Sequence, residues 1–246
     1  MLNKRKNMLN KRKISCAGCT RRQDTEWGFL DEHQVEELDR AKVVLQIRGG
    51  QTIFFQGNPC TGLYAVRKGT VLLRRTDVDG HSAIVRMVEK GQTMGYRAFF
   101  SSTPVYGASA EASTDCTLCF ISREQVNRLL TNNPRITLAF LQRLADDLDG
   151  AETCRLQFSK LPVRGRVSQI LLLLKHHHGE VNANGDIVID LPISRQELAE
   201  MVGARPESVS RAITVLHNKG VAEFRGRKVT ISDLDLLLDE VEAIDD

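Results

Sequence analysis

The residues best suited to chemistry are cysteines, and they come in pairs. "CAGC" spans Cys16 to Cys19 and "CTLC" spans Cys116 to Cys119, so four of the six cysteines sit in two C-x-x-C pairs. Two-residue spacing lets both thiols of a pair reach one centre. Such pairs bind zinc, hold iron–sulfur clusters, or cycle between dithiol and disulfide. Cys60 and Cys154 stand alone and read as buried core thiols. His176, His177 and His178 are also candidate ligands, but adjacent residues on a helix point in different directions and do not converge on one ion. An exposed helix end is expected there.

Length and composition limit what these cysteines can serve. The chain has 246 residues, 41% hydrophobic and 26% charged, which suits two modest globular domains. The longest apolar run is "ILLLL" at Ile170 to Leu174, far short of the roughly 20 residues that span a bilayer. The basic N-terminus is followed by no apolar segment, so no signal peptide is expected. A cytoplasmic setting follows, where paired thiols are metal-binding or redox-active rather than structural disulfides. Net charge is only +3, but it is uneven. Residues 1–13 carry six Lys or Arg and no acid, with "LNKRK" occurring twice; residues 233–246 carry seven acids and no base. Residues 160–232 hold eleven bases against seven acids, a balance compatible with nucleic acid.

The elements that must position the cysteines can be read from periodicity. Val35, Leu38, Ala41 and Val44 or Leu45 have helical spacing within residues 29–45. From Ile47 to Ile121, short β-rich runs alternate with glycines, and Asp79-Gly80 marks a hairpin. That pattern predicts a small β-barrel or jelly roll. After Asn133-Pro134 a long helix is expected. Leu141, Leu144, Leu148, Ala151, Arg155 and Phe158 form a 3-4-3-4-3 seam flanked by charges, which predicts a helix that pairs with a second copy. "KLPVRG" at Lys160 to Gly165 marks a boundary.

The stretch "ISRQELAEMVGARPESVSRAITVLHNKG" (Ile193 to Gly220) predicts a helix-turn-helix. Ser194 and Glu197 form a capping box, Gly203 supplies the break, and Pro206 opens the second helix. Val209, Ile213 and Leu216 face inward, leaving Glu207, Ser208, Ser210, Arg211 and Thr214 outward. A polar face near the N-terminus of a second helix suits base edges in the major groove. "VAEFRGRKVTI" then reads as a hairpin with Arg225, Gly226, Arg227 and Lys228 at its tip, a wing able to touch phosphate.

Over nearly its whole length the chain resembles the Crp–Fnr superfamily of bacterial transcription regulators. "RGGQTIFFQGNPCTGLYAVRKGTVLLRR" is similar to its glycine-punctuated β-roll, and "RPESVSRAI" is especially similar to the Fnr branch, whose recognition motif reads Glu-x-x-Ser-Arg. The resemblance implies an α+β chain in four parts: a basic arm and cysteine loop at 1–28, a jelly-roll-like sensory β-roll at 29–132, a dimerisation helix at 133–160, and a winged helix-turn-helix with an acidic tail at 161–246. It implies a homodimer on double-stranded DNA, working with RNA polymerase and with no membrane partner. Glu207, Ser210 and Arg211 would read bases in two-fold sites of the Fnr type, TTGAT.

The resemblance also bears on what is sensed. Cyclic-nucleotide binders carry Gly-Glu and, about ten residues on, an Arg-Ser or Arg-Thr pair whose arginine neutralises the phosphate. Here "GYRAFFSSTPVYGASAEA" has Tyr96 for the acid and Val105-Tyr106-Gly107 for the pair, so cyclic nucleotide is not expected. Fnr-type sensors of oxygen or nitric oxide hold a [4Fe–4S] iron–sulfur cluster on N-terminal cysteines and one β-roll cysteine. "ISCAGC" and "DCTLCFI" carry over Cys16, Cys19 and Cys119. The family's third N-terminal cysteine would fall near Thr25, where there is none, so the fourth ligand falls to Cys116 or Asp24. Zinc or a thiol switch is the competing use of the same thiols. A β-roll that binds haem or a small organic ligand, without a cluster, is the alternative regulator. No catalytic constellation stands out, and a disulfide-exchange enzyme would want its C-x-x-C where a strand meets a helix.

Overall fold

The computed structural model describes residues 15–19 and 21–242. The repeated basic segment at 2–13 and residues 243–246 lie outside them. Two 3-10 turns, Arg22–Asp24 and Glu26–Phe29, lead into α1 (Glu32–Ala41). Eight strands follow: β1 (Val43–Ile47), β2 (Thr52–Phe54), β3 (Gly62–Lys68), β4 (Val71–Thr76), β5 (Ser82–Val88), β6 (Thr93–Met94), β7 (Ser109–Ala112) and β8 (Cys116–Ser122), with the short α2 (Tyr96–Phe99) between β6 and β7. Three helices come next, α3 (Arg123–Asn132), α4 (Pro134–Lys160) and α5 (Val163–His178). Then come β9 (Gly179–Val181), β10 (Ile187–Asp190), α6 (Arg195–Val202), α7 (Pro206–Asn218), β11 (Glu223–Arg225), β12 (Lys228–Ile231) and α8 (Leu234–Glu242). The α+β expectation holds. Contacts divide the chain into two units, one ending at Val71 and resuming over Val88–Leu144, the other made of Leu72–Met87 and the chain from Ala145 onward.

In the first unit, the helix expected over 29–45 is shorter. Asp31 caps α1 in a capping box with Gln34. The run "VVLQI" leaves the helix after Ala41 and becomes β1, because its β-branched residues pair antiparallel with β8, Val44 opposite Cys119 and Ile47 opposite Cys116. β8 is flanked on its other side by β3, which puts Ala65 opposite Cys119. β2 and β7 pair separately. Helix α3, capped by Ser122, was not legible as an element, since "SREQVNRLL" is short and follows a strand directly. Phe140 at the start of α4 is fully buried. Its ring meets Trp27 edge-on at 5.5 Å, Phe100 at 5.6 Å and Tyr96 at 5.8 Å. Trp27 donates Nε1–H to Thr93 Oγ1 at 3.0 Å, and Thr93 donates to the buried Glu26 at 3.1 Å. These contacts fix the cysteine loop's downstream end to the roll.

In the second unit, Leu72 and Ile84 of the β4–β5 hairpin pack in one core with Val167, Leu171, Ile189, Leu198, Ile213 and Leu216. Gly80 takes the left-handed turn between those strands at φ 84°. The sheet runs β11-β12-β10-β9, so the expected wing is real and is joined by a hairpin the sequence reading missed. The acidic tail is partly helix α8. Its Glu240 is buried, accepting from Arg164 at 2.9 Å and Lys219 at 2.6 Å.

The seam expected on α4 is partly open in the single chain. Leu141 and Leu148 are exposed and so is Ala151, but Leu144 is half-buried and Phe158 packs against the second unit's core. The apolar row left open is Leu138, Leu141, Leu148 and Leu156. The cause is a 27-residue helix of 3.6-residue period, along which a strict heptad drifts round the surface. No helix among the described residues is long and apolar enough to cross a membrane. Phe140→Ala should cost about 3–5 kcal/mol in stability, read by denaturant unfolding of the first unit's transition. A loss under about 1 kcal/mol would contradict its central place in that core.

Candidate metal centre and nucleic-acid interface

Three thiols reach one place. A cavity of about 600 Å³ is lined by Cys16 and Cys19 from the loop and by Cys119 from β8. The loop is folded by its own backbone: Cys19 N–H donates to the Cys16 carbonyl at 3.2 Å, and Arg22 N–H to the Cys19 carbonyl at 3.1 Å. Both thiols of the pair, one on each side of this first turn, line the cavity. On β8, Thr117, Cys119 and Ile121 all line the cavity, as a side-chain period of two requires.

The same period sends Cys116 away. It is 2% exposed, lies outside the cavity lining, and points its thiol at the carbonyls of Thr114 (3.2 Å) and Thr70 (3.4 Å). A Cβ on Gly69 would come within 2.7 Å of its sulfur, so that sulfur fills the space against the β3–β4 turn. Cys116 as fourth ligand is therefore corrected: three residues along an extended strand is an odd number, and no local turn brings it round. Asp24 lies in the first 3-10 turn, and its side chain is outside those described. Cys60 is buried with its thiol toward the Gly62 carbonyl at 3.6 Å, and Cys154 is half-buried on α4.

The cavity wall is cationic. Arg21, Arg22, Lys42, Arg67, Lys68 and Lys90 line it, with no carboxylate among the lining residues. The Lys42 side chain is 3% exposed. It donates to Cys16 Sγ at 3.1 Å and forms a close ion pair with Asp39, whose Oδ1 also accepts from Cys16 N–H at 2.7 Å. Burial pushes the Cys16 thiol up to about 11, against the pull of Lys42. Burial also raises Cys119, opposed by Lys42 and Arg67. Burial works against the Lys42 ammonium, yet its bonds to Asp39 and Cys16 hold it above the ordinary lysine range. The Arg22 Nε is buried without a partner on this wall. Three soft donors inside a ring of positive charge fit a thiolate-held, net anionic group. The sequence singled out the thiols but neither Asp39 nor Lys42, because nothing in "LDRAKVV" marks the end of a helix as a partner for a cysteine far away in the chain.

The three sulfurs do not all lie within 4.8 Å of one another. Around a single tetrahedral zinc they would sit about 3.8 Å apart, given Zn–S bonds of about 2.3 Å. Among the described residues the one group of three ligand atoms that close together is Asp77, Asp79 and His81, exposed at the β4–β5 hairpin tip.

The segment corresponding to a phosphate cassette has a different interior. Gly95 takes a left-handed φ of 95° before α2. Tyr106 stacks on Phe54 at 3.9 Å and donates its hydroxyl to the Gly62 carbonyl at 3.0 Å. Phe54 meets Tyr64 at 5.4 Å, and Tyr64 meets Phe120 at 4.8 Å. Aromatic rings occupy this part of the roll, where Val105, Tyr106 and Gly107 stand at the place of the pair in the sequence.

The helix-turn-helix is built as its sequence implies. Ser194 and Glu197 close the capping box on α6, Gly203 turns at φ 62°, and α7 begins with Pro206. Val209, Ala212, Ile213 and Leu216 are buried, while Glu207, Ser210, Arg211 and Thr214 are exposed. Ser208 is half-buried and accepts from Arg211 at 3.3 Å. Arg225, Arg227 and Lys228 are exposed around Gly226 between β11 and β12. One exposed helix face with an acid and a guanidinium, beside a basic hairpin tip, is an arrangement for base edges and phosphates.

Comparison with known proteins agrees with both halves. Residues 44–133 match the family described as cyclic nucleotide-binding domain, and residues 165–240 match the Crp-like helix-turn-helix domain. The chain is 28% identical to a probable transcriptional activator of Rhizobium leguminosarum bv. viciae, over 91% of this chain and 92% of that one. It is 24% identical to the transcriptional activator protein FnrL of Cereibacter sphaeroides, over 92% of this chain and 91% of that one. The solved structure of FixK2 from Bradyrhizobium japonicum shares the fold with a TM-score of 0.71 at 23% identity, covering 80% of this chain and 96% of that one. With a β-roll carrying the first match, a winged helix-turn-helix carrying the second and an Fnr-like recognition helix, the chain belongs to the Crp–Fnr superfamily of DNA-binding transcription regulators.

Proposed function

We propose that this regulator senses oxygen, nitric oxide or redox state through an iron–sulfur cluster held by Cys16, Cys19 and Cys119. The observation that carries the reading is the convergence of three thiols, from a loop and a distant strand, on one cavity ringed by cations. The fourth position belongs to a ligand other than Cys116, and Asp24 is the chain's own candidate. The group would supply redox chemistry and sensitivity to oxidants. The residues do the rest: the loop turn holds Cys16 and Cys19 together, β8 aims Cys119, and the Trp27–Thr93–Glu26 chain anchors the loop to the roll. Loss of the link between loop and strand on oxidation would free the loop and alter DNA binding. The filled aromatic interior at Tyr106 supports a signal other than cyclic nucleotide; haem or an organic ligand is the alternative.

The working form is a homodimer in the cytoplasm, paired through α4 and bound to two-fold sites with TTGAT-like half-sites, where RNA polymerase is the further partner. Arg211 donates to guanine O6 and N7 and Glu207 accepts from cytosine N4, while Arg225 and Arg227 touch phosphate. The exposed Leu138, Leu141, Leu148 and Leu156 support the pairing face.

Three outcomes are expected. Protein purified without oxygen should be coloured and contain iron and sulfide; Cys19→Ala should lose both, and Cys116→Ala should keep both. A colourless, iron-free wild type ends the cluster reading. Glu207→Ala should cost about 1–3 kcal/mol of discrimination against altered half-sites, whereas Arg227→Ala weakens all sequences alike; unchanged discrimination in Glu207→Ala contradicts the readout. Leu148→Asp should sediment as monomer, and an unaltered dimer would remove α4 from the interface.

A further inference from the structure

We infer that Lys42 is a positioning residue of the thiolate centre, its ammonium both orienting Cys16 and offsetting the centre's negative charge. This rests on the proposed centre and names a part of it that the cysteine pattern does not contain. Lys42 Nζ lies 3.1 Å from Cys16 Sγ, within N–H···S hydrogen-bond range. The side chain is 3% exposed, so the long flexible stem has been ordered and desolvated to bring its charge there. Such burial is costly unless the charge is paired and hydrogen-bonded. Asp39 supplies the pair, and the same carboxylate takes the Cys16 backbone N–H at 2.7 Å. Asp39, Lys42 and Cys16 thus form a closed ring of contacts in which the carboxylate fixes the cysteine's backbone and the ammonium fixes its sulfur.

Helix α1 builds this ring. Asp39 is in its last turn, and Lys42 is its C-cap, bonded by its own N–H to the Leu38 carbonyl at 2.9 Å. The side chains three apart meet on one side of the helix end. Lys42 lines the same cavity as Cys119, whose thiol feels its charge, so one ammonium bears on two of the three sulfurs. Hydrogen bonds to cluster sulfurs and local net charge set reduction potential, and partners that orient a ligand commonly change affinity about 10–100-fold. A fixed cation favours the more negative, reduced state and resists release of the thiolates.

The test compares wild type, Lys42→Met and Lys42→Arg, each prepared without oxygen and loaded with iron and sulfide. Two quantities are read: the rate of iron loss to a ferrous chelator and the midpoint potential of the bound group. Lys42→Met should lose iron about tenfold faster or more, with a lower midpoint, and Lys42→Arg should recover most of both. Equal rates and an equal midpoint in Lys42→Met overturn the inference. Faster loss with an unmoved midpoint and no recovery in Lys42→Arg also overturns it, since a loosened loop alone would give that result. A wild type that takes up no iron overturns the centre itself, and is told apart by that first measurement.

Discussion

Alternation along β8 is the constraint on which the site depends. In an extended strand, residues two apart share a face and residues three apart do not. Thr117, Cys119 and Ile121 therefore look into the cavity, and Cys116 looks the other way. The register with β1 and β3 holds this choice on both sides, since a slip of one residue along β8 would turn Cys119 away from the cavity and Cys116 toward it. One cysteine of the "CTLC" pair thus has a role in packing and the other a role at the site. The C-x-x-C spacing in the strand sends its two thiols to opposite faces, whereas in the loop, which a backbone turn folds, both thiols of the other pair line the cavity.

A second dependence runs through charge. Cys16 is held by the end of α1, whose last turn supplies Asp39 and whose C-cap supplies Lys42. The rest of the wall adds Arg22 and Arg67, with Arg67 donating to the Ser15 carbonyl at 3.3 Å. Basic side chains therefore both fold the loop onto the roll and set the sign of the field inside the cavity. The two uses agree, and this agreement makes an anionic occupant a better fit than a cationic or neutral one.

Much of the architecture was legible in the sequence because its signals are local. The capping box at Ser194, the glycine turn at Gly203 and the proline at Pro206 each act within a few residues. The hairpins at Gly80 and Gly226 are also local. What was not legible required distant information. The end of α1 is decided by the pairing of "VVLQI" with β8, some seventy residues on. Phe158 leaves the expected seam because the second unit's core claims it, and Leu138 and Leu156 become the exposed row. At the site, cysteine types and spacing marked Cys16, Cys19 and Cys119, but the facing of Cys116 and the involvement of Lys42 are properties of sheet register and helix ending.

The central claim is that the state of the three-thiol site governs DNA binding, and it is tested most directly by one titration. Fluorescence anisotropy of a labelled duplex with two TTGAT half-sites follows the anaerobically purified protein before and after controlled exposure to oxygen, at one fixed salt concentration. The account predicts a change in affinity on oxygen exposure that is absent in Cys119→Ser. Identical binding curves before and after exposure in the wild type, with iron lost in between, would contradict it.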